Sequence, residues 1–265
     1  MSRLPWVDYT RRNDPASIYW VRRLEDLLQK QEAPHVFCFW TKNPGYIAAH
    51  YKSYIDHMKS QGTIVLAQVT YNFYPELEPG VLKYAAGRAA GLQKLIQVLG
   101  GPAYVRLRID PIIMGYTTPK IIEQSLNTAY HNNIKNVTTN ILVPGYKGVG
   151  QKLLNQNIIK ASDLKPDNNR INKAFTTIVK IAQDRDIKVS ACAETSGLVG
   201  VIPGIDKAQC ADPSWALGIK YNLPVVFKTK PSRKGCGCVY SADWGLYANQ
   251  GAPACWGQCR YCYAQ

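Results

Sequence analysis

The sequence predicts an α/β protein built on a parallel sheet. Short runs with the composition of buried strands alternate with amphipathic helical stretches from Val7 to Ala193, which is typical of parallel strands joined by helical crossovers. Polar side chains gather just after the strands, at the edge where parallel barrels carry their active sites. We therefore expect a partial or full TIM-like parallel (β/α) barrel, with an open doubly wound sheet as the alternative.

The elements can be placed in chain order. A strand at Val7–Thr10 precedes a helix that is expected to begin at Asp14 and Pro15, because Asp is a favoured N-cap and Pro a favoured first helical residue. Further strands are expected at His35–Trp40, Thr63–Tyr71, Ala103–Ile109, Asn136–Leu142 and Ile187–Ala193. Further helices are expected at Tyr46–Lys59, Val81–Leu99, Pro119–Asn132, Leu153–Ile159 and Asn169–Asp184.

One domain accounts for the chain. Its 265 residues, 46% of them hydrophobic, suffice for one large core. Residues 1–196 supply the (β/α) units, and the Gly-, Pro- and Cys-rich residues 197–265 complete the same domain. No apolar run approaches the roughly 18 residues of a membrane span, and Met1–Pro5 lacks the apolar stretch of a signal peptide. We expect no membrane association and a cytoplasmic location.

The chain is basic, with 32 Lys and Arg against 18 acidic residues and a formal charge of +14. This charge favours an anionic partner such as nucleic acid or a phosphorylated substrate. The basic residues are scattered, so a solvated basic surface without such a partner is the alternative.

The cysteines are the most specific signal. Five of the eight lie in the final thirty residues, and without an export signal such crowding indicates metal binding rather than disulfides. Cys255, Cys259 and Cys262 lie on one short loop that can turn three thiolates toward one centre, leaving one coordination position for another ligand. A zinc knuckle completed by a fourth thiolate such as Cys238 is the alternative.

Four other cysteines form a second candidate set, namely Cys192, Cys210, Cys236 and Cys238. They are expected to hold a second iron–sulfur cluster or a structural zinc. In the alternative, Cys192 is a small buried hydrophobe at a strand end and the others are unpaired. Cys38, inside an apolar run, is expected to belong to the core.

The terminal motif, with an aromatic residue before its last cysteine, together with a parallel α/β barrel resembles the radical S-adenosylmethionine (radical SAM) superfamily. There, three thiolates hold a [4Fe-4S] cluster whose fourth iron binds the amino and carboxylate groups of S-adenosylmethionine. A narrower resemblance is to the DUF1848 family, radical SAM-like proteins labelled by analogy with spore photoproduct lyase. It rests on Arg11–Pro15, Phe39–Pro44, Asp110–Ile112, Cys192–Glu194, Gly235–Val239 and the terminal cysteine region.

The resemblance implies a circularly rearranged barrel, in which the segment from Cys236 to Gly245 leads into the cysteine loop and the N-terminal strand follows it in space. It also implies a radical SAM enzyme that makes a 5′-deoxyadenosyl radical and abstracts hydrogen from an unidentified substrate, which the charge suggests is nucleic acid or a nucleotide. Its partners would be S-adenosylmethionine and an electron donor such as flavodoxin or ferredoxin. The rival function is a non-catalytic, zinc- or cluster-stabilised nucleic-acid-binding protein.

Polar residues at the strand ends are the remaining site candidates. A guanidinium grips carboxylate or phosphate in a planar, bidentate way, and carboxylates accept from ribose hydroxyls or an ammonium group. The predicted catalytic residues are Arg12, Lys42, Asp110 and Glu194. The predicted cofactor-binding residues are Arg11, Asn43, Arg108 and Tyr261. An internal ion-pair network is the alternative for the charged members, and hydrophobic cover is the alternative for Tyr261 and Tyr263.

Overall fold

The computed structural model describes residues 3–11, 13–142, 148–192, 197–198, 200–229, 236–246 and 250–262. Within these residues, eight strands form one parallel sheet in the order β7-β6-β5-β4-β3-β2-β1-β8. The strands are β1 (Trp6–Tyr9), β2 (Val36–Thr41), β3 (Ile64–Thr70), β4 (Val105–Ile112), β5 (Asn136–Ile141), β6 (Lys188–Ala191), β7 (Ile205–Lys207) and β8 (Ala242–Asp243).

Helices fill most of the connections between the strands. They are α1 (Ile18–Lys30), α2 (Pro44–His50), α3 (Lys52–Ser60), α4 (Pro79–Leu82), α5 (Ala85–Leu99), α6 (Pro119–His131), α7 (Val149–Asn155), α8 (Asn168–Gln183) and α9 (Pro213–Ile219). Across the described part of the chain, no helix combines the length and the apolar character that a membrane crossing requires.

The strand order follows the chain from β1 to β7 without reversal, whereas a doubly wound sheet reverses its order at a switch point. The sheet is open: β7 and β8 are its edges, and no strand in the described ranges joins them. The sheet of the described residues therefore does not form a closed barrel. Strand β8 pairs in parallel with β1, in the register Val7↔Ala242, so the segment before the cysteine loop lies beside the N-terminal strand, as the resemblance implies.

The two faces of the sheet carry different side chains because successive residues of a strand point to opposite sides. On one face, Val7, Phe37, Val65, Leu107 and Val189 pack with the apolar residues of the helices in the main core. This burial explains why β1 to β6 were recognisable from composition.

The other face has a smaller core and several buried polar groups, among them Asp8, Gln68 and Arg108. Trp6, Val36 and Leu66 pack there against residues of the C-terminal part, including Cys210 and Trp215. Hydrogen bonds fix that part on the sheet, from Gln68 Nε2 to Cys210 O (2.7 Å) and from Trp215 Nε1 to Ala103 O (2.7 Å). The cysteine-rich segment thus belongs to the same packed unit as the sheet.

The first helix does not begin at Asp14, as the sequence predicts. It begins at Ile18 with Ser17 as N-cap, and the buried Asp14 carboxylate instead accepts hydrogen bonds from Thr41 Oγ1 (2.9 Å), Lys42 N (2.5 Å) and Ala16 N (3.0 Å). Asp14 therefore ties the chain after β1 to the end of β2. The long-range hydrogen bonds of Asp14 therefore prevail over its local preference for the N-cap position.

Other boundaries also differ from the predicted ones. The helix expected at Tyr46–Lys59 is interrupted at Tyr51, and the one expected at Val81–Leu99 divides into α4 and α5. Strand β4 continues through Asp110 to Ile112. The helix expected near Leu153–Ile159 is α7, which begins and ends earlier. The short β7, α9 and β8 were not predicted, because elements of so few residues show no periodicity.

Candidate functional site

The loop that carries Cys255, Cys259 and Cys262 is held against the carboxyl ends of β1 to β3. Gly80 N donates to Gly257 O (3.2 Å) and Arg260 N donates to Leu77 O (2.8 Å), so the loop rests on the segment that follows β3. Asn13 Nδ2, just after β1, donates to Pro253 O (3.0 Å). These hydrogen bonds fix the loop at the edge of the sheet where a parallel α/β protein presents its ligands.

Two thiols of this loop, those of Cys255 and Cys259, lie beside Gly257. A Cβ atom at Gly257 would lie 3.5 Å from Cys259 Sγ, 3.7 Å from Cys255 Sγ and 3.9 Å from the Lys42 side chain. Cys259 interacts electrostatically with both Cys255 and Cys262. The absence of a side chain at Gly257 therefore leaves a small space bordered by two thiols and a lysine.

Burial favours the protonated form of two of these thiols, those of Cys255 and Cys259. It raises the pKa of Cys255 to about 11 and that of Cys259 to about 12, although Lys42 acts in the opposite direction on Cys259. Among the described side chains, no three of the His, Cys, Asp or Glu type are already arranged around a metal position. The chemistry of the donor set, three thiols on one loop of which two border a gap, nevertheless fits a thiophilic metal or cluster.

Glu78, which was not predicted, is the centre of the polar group beside the loop. Its Oε1 accepts hydrogen bonds from Lys42 Nζ (2.5 Å), Asn72 Nδ2 (3.1 Å) and Tyr261 OH. Lys42 Nζ also donates to Tyr261 OH (2.7 Å). Although burial alone would lower it, the pKa of Lys42 is raised, because Glu78 favours the ammonium form. Lys42 and Tyr261, both predicted site residues, thus meet next to Cys259.

The second carboxylate oxygen of Glu78 has no hydrogen-bond partner among the described residues, although it is buried. The side chain is 2% exposed. A buried carboxylate oxygen without a donor is costly, and a ligand that offers an N–H or O–H group there would remove this cost. The site therefore has one open acceptor, on a carboxylate that interacts electrostatically with the Cys259 thiol.

Arg88 fixes the backbone beneath these side chains. Its guanidinium donates to Lys42 O (3.0 Å), Asn72 O (3.0 Å) and Thr70 O (2.5 Å), so one buried side chain joins the ends of β2 and β3. Arg88 reaches this position because α5 approaches α2 closely, with Gly91 packed against Gly45. The only sequence signal was an arginine flanked by Gly and Ala residues within a helix.

A hydrogen-bonded path leads from this group to the second set of cysteines. Asn72 Nδ2 donates to Tyr261 OH (3.2 Å) and to Asp110 O (3.0 Å). The Asp110 carboxylate pairs with Arg108, whose Nη1 donates to Cys210 Sγ (3.3 Å). Asp110 therefore lies between the two cysteine sets and is not in the group around Glu78.

The second set is packed between β6 and the C-terminal segment on the face opposite the main core. Cys210 is in hydrogen-bond contact with Cys192 and Cys238, and Cys238 is in contact with Cys236. Backbone amides donate from Cys210 N to Cys238 Sγ (3.1 Å) and from Cys238 N to Cys236 Sγ (3.5 Å). The pKa of Cys210 lies well below its ordinary value. Hydrogen bonds with the Cys192 and Cys238 side chains lower it most, and the positive charge of Arg108 lowers it further.

Comparison with known proteins gives one family. The family model described as "Domain of unknown function (DUF1848)" matches residues 9–264. The chain belongs to the DUF1848 family. A search of curated proteins gives no match. In this DUF1848 protein the matched region includes all eight cysteines, and the family description itself assigns no reaction.

In this DUF1848 protein, the predicted residues Arg11 and Arg108 do not belong to the group that contains Lys42 and Tyr261. The Arg11 and Arg108 guanidiniums lie 4.8 Å and 4.7 Å from the centre of the Trp40 ring, and Arg11 pairs with the buried Asp8 (3.4 Å). Both arginines interact electrostatically with Cys210. They therefore belong to the second cysteine set and form internal ion pairs there.

Asn43 has a structural task, since its Oδ1 accepts from Tyr46 N (3.1 Å) as the N-cap of α2. Cys38 is fully buried in the smaller core. Arg12, Glu194 and Tyr263 lie outside the described residues. Asp8, like Glu78 and Arg88, was missed by sequence reasoning; a charged residue inside an apolar strand was its signal.

Proposed function

We propose that this DUF1848 protein is a radical SAM enzyme whose [4Fe-4S] cluster is held by Cys255, Cys259 and Cys262. One observation carries the proposal: the three-cysteine loop is held over the carboxyl ends of β1 to β3, with an open buried acceptor, Glu78 Oε2, beside it. In this proposal the sequentially ordered sheet is the partial barrel of that superfamily, circularly rearranged so that its last strand lies next to its first.

The cluster and S-adenosylmethionine together supply a one-electron cleavage of a carbon–sulfur bond that leaves a 5′-deoxyadenosyl radical for hydrogen abstraction. The chain positions these groups. Glu78 Oε2 would accept from a donor of the bound cofactor, its ammonium group or a ribose hydroxyl. Lys42 and Tyr261, which both donate to Oε1, hold the carboxylate in place. Arg88 keeps the strand ends that carry Lys42 and Asn72 in register.

Two further features bear on partners. The formal charge of +14 would attract an anionic substrate, a nucleic acid or a nucleotide, to the strand ends. An electron donor such as flavodoxin or ferredoxin would reduce the cluster. The positive charge of the chain would favour association with a donor that is acidic.

The test is anaerobic purification followed by metal, sulfide and product analysis. We expect a brown protein with iron and sulfide that releases 5′-deoxyadenosine from S-adenosylmethionine when a reductant is added. Cys259→Ala should abolish that product, because only two thiols of the loop remain. A colourless protein that holds stoichiometric zinc at the terminal loop after anaerobic reconstitution would refute the proposal and favour the non-catalytic nucleic-acid-binding function.

A further inference from the structure

The second cysteine set can be assigned without reference to the proposed function. Three of its thiols, those of Cys192, Cys210 and Cys238, are buried, and Cys236 is half-buried. They come from separate places in the chain: the end of β6, the segment between β7 and α9, and the segment before β8. Four thiols from three segments meet on one face of the sheet, and hydrophobic packing alone gives no reason for the coincidence.

Sulfur atoms of this set accept N–H hydrogen bonds. Arg108 Nη1 donates to Cys210 Sγ (3.3 Å), and a guanidinium has only donors, so the sulfur must be the acceptor. Backbone amides donate to Cys238 Sγ (3.1 Å) and Cys236 Sγ (3.5 Å). Hydrogen bonds to the sulfurs are a means by which proteins stabilise metal-bound thiolates. Three of the four sulfurs therefore already accept an N–H hydrogen bond, as metal-bound thiolates do.

The described thiols are not yet arranged around one metal position, but the contacts between them indicate which metal they suit. Cys192, Cys210, Cys238 and Cys236 contact one another in that order through hydrogen bonds between their side chains. A tetrahedral zinc with Zn–S bonds of about 2.3 Å separates its sulfurs by about 3.8 Å, which is the separation of thiols in contact. An iron–sulfur cube lies between its thiolates and holds them farther apart.

We propose that Cys192, Cys210, Cys236 and Cys238 bind one structural zinc ion that fastens the C-terminal segment to the sheet. Four thiolates close the coordination sphere, as in structural zinc sites, and leave no position for a substrate. Binding replaces the row of thiol contacts by four Zn–S bonds and releases the thiol protons to solvent. Because Cys236 is the most exposed of the four, its side chain is the one best able to turn inward and complete the tetrahedron.

The experiment measures zinc and iron in protein purified anaerobically from cells supplied with both metals. Wild type and Cys38→Ala, a buried cysteine of the same core outside the set, should hold about one zinc per chain. Cys210→Ser and Cys236→Ser should retain less than about a tenth of it, because three ligands bind zinc far more weakly. Both variants should keep the iron of wild type. Because Cys236 is only half-buried, Cys236→Ser should fold even if Cys210→Ser does not, and it then decides the test alone.

Cys259→Ala separates this proposal from the proposed function: it should lose iron and keep zinc. Zinc missing from wild type, zinc retained by Cys236→Ser, or iron lost in place of zinc in Cys236→Ser would each overturn the assignment. Loss of zinc from Cys38→Ala would show that the ligand set is wrong. If wild type lacked iron but Cys236→Ser still lost zinc, the zinc site would stand and the radical SAM proposal would fail.

Discussion

At the scale of single residues, the Glu78 carboxylate is the group on which the polar part of the site depends. It is the counter-charge of Lys42 and accepts from Asn72 and Tyr261 as well. Removing one partner of a buried ion pair leaves the other charge without compensation, which costs about 3 to 5 kcal/mol. The ion pair therefore adds little net stability, but removing either of its members alone is strongly destabilising.

We expect Glu78→Gln to lower the free energy of unfolding by about 3 kcal/mol, because Lys42 would remain buried without its counter-charge. The double variant Lys42→Met with Glu78→Gln should be less destabilised than Glu78→Gln alone, since it buries no unpaired charge. Urea unfolding of the two single variants and the double variant measures the coupling. A Glu78→Gln variant as stable as wild type would contradict this role.

Gly257 gives a second prediction at this scale. Gly257→Ala adds a Cβ in ordinary contact with Cys255 and Cys259, so it should keep its iron. Gly257→Val adds branches that fill the space between the thiols, and we expect iron content to fall at least about fivefold. Metal analysis of both variants checks this. Equal iron in the Ala and Val variants would show that the gap is not where the cluster binds.

At the scale of elements, the site depends on how the cysteine loop rests on the start of α4. A Cβ at Gly80 would lie 1.9 Å from Trp256 O and 2.9 Å from the Gly257 backbone. Backbone lies against backbone here, and no flexible side chain can move aside. Gly80 is thus required by the contact between two segments that are far apart in the chain.

Gly80→Ala should therefore displace the loop and lower the free energy of unfolding by about 1 to 3 kcal/mol. Gly87→Ala in α5 is the matched control: nothing lies within 4 Å of the added Cβ, and replacing a helical glycine by alanine should stabilise by up to about 1 kcal/mol. Thermal or urea unfolding measures both changes. If Gly80→Ala were as stable as wild type and retained its iron, the docking of the loop on α4 would be wrong.

At the scale of the whole molecule, the formal charge of +14 makes a prediction about nucleic acid. If phosphates are bound, their counterions are released, so affinity for a single-stranded oligonucleotide should fall about tenfold or more between 50 and 200 mM salt. Fluorescence anisotropy at several salt concentrations measures the slope. An oligomer with an uncharged backbone is the control and should not bind. Binding that is absent or independent of salt would remove nucleic acid from the partners.

The observed sheet and helices also show which elements of the fold can be predicted from sequence patterns. Strands β2 to β6 and helices α6 and α8 lie within a few residues of their expected positions. Strands such as β2 and β3 are apolar runs buried on both faces, and the helices have an apolar stripe on one face. The split of the Val81–Leu99 helix and the start of α1 at Ile18 were missed. In both places the chain follows contacts with distant segments, such as those of Asp14 with Thr41 and Lys42.

The sequence by itself determined the strand-and-helix alternation, the family and the three-cysteine loop, because each is written in residues close together in the chain. Only the tertiary structure decided that Glu78 joins Lys42, 36 residues away, and Tyr261, 183 residues away. It likewise brought Cys192, Cys210, Cys236 and Cys238 together. Local periodicity reports which side chains are buried, but the partner of a buried charge or thiol is set by which segments pack face to face.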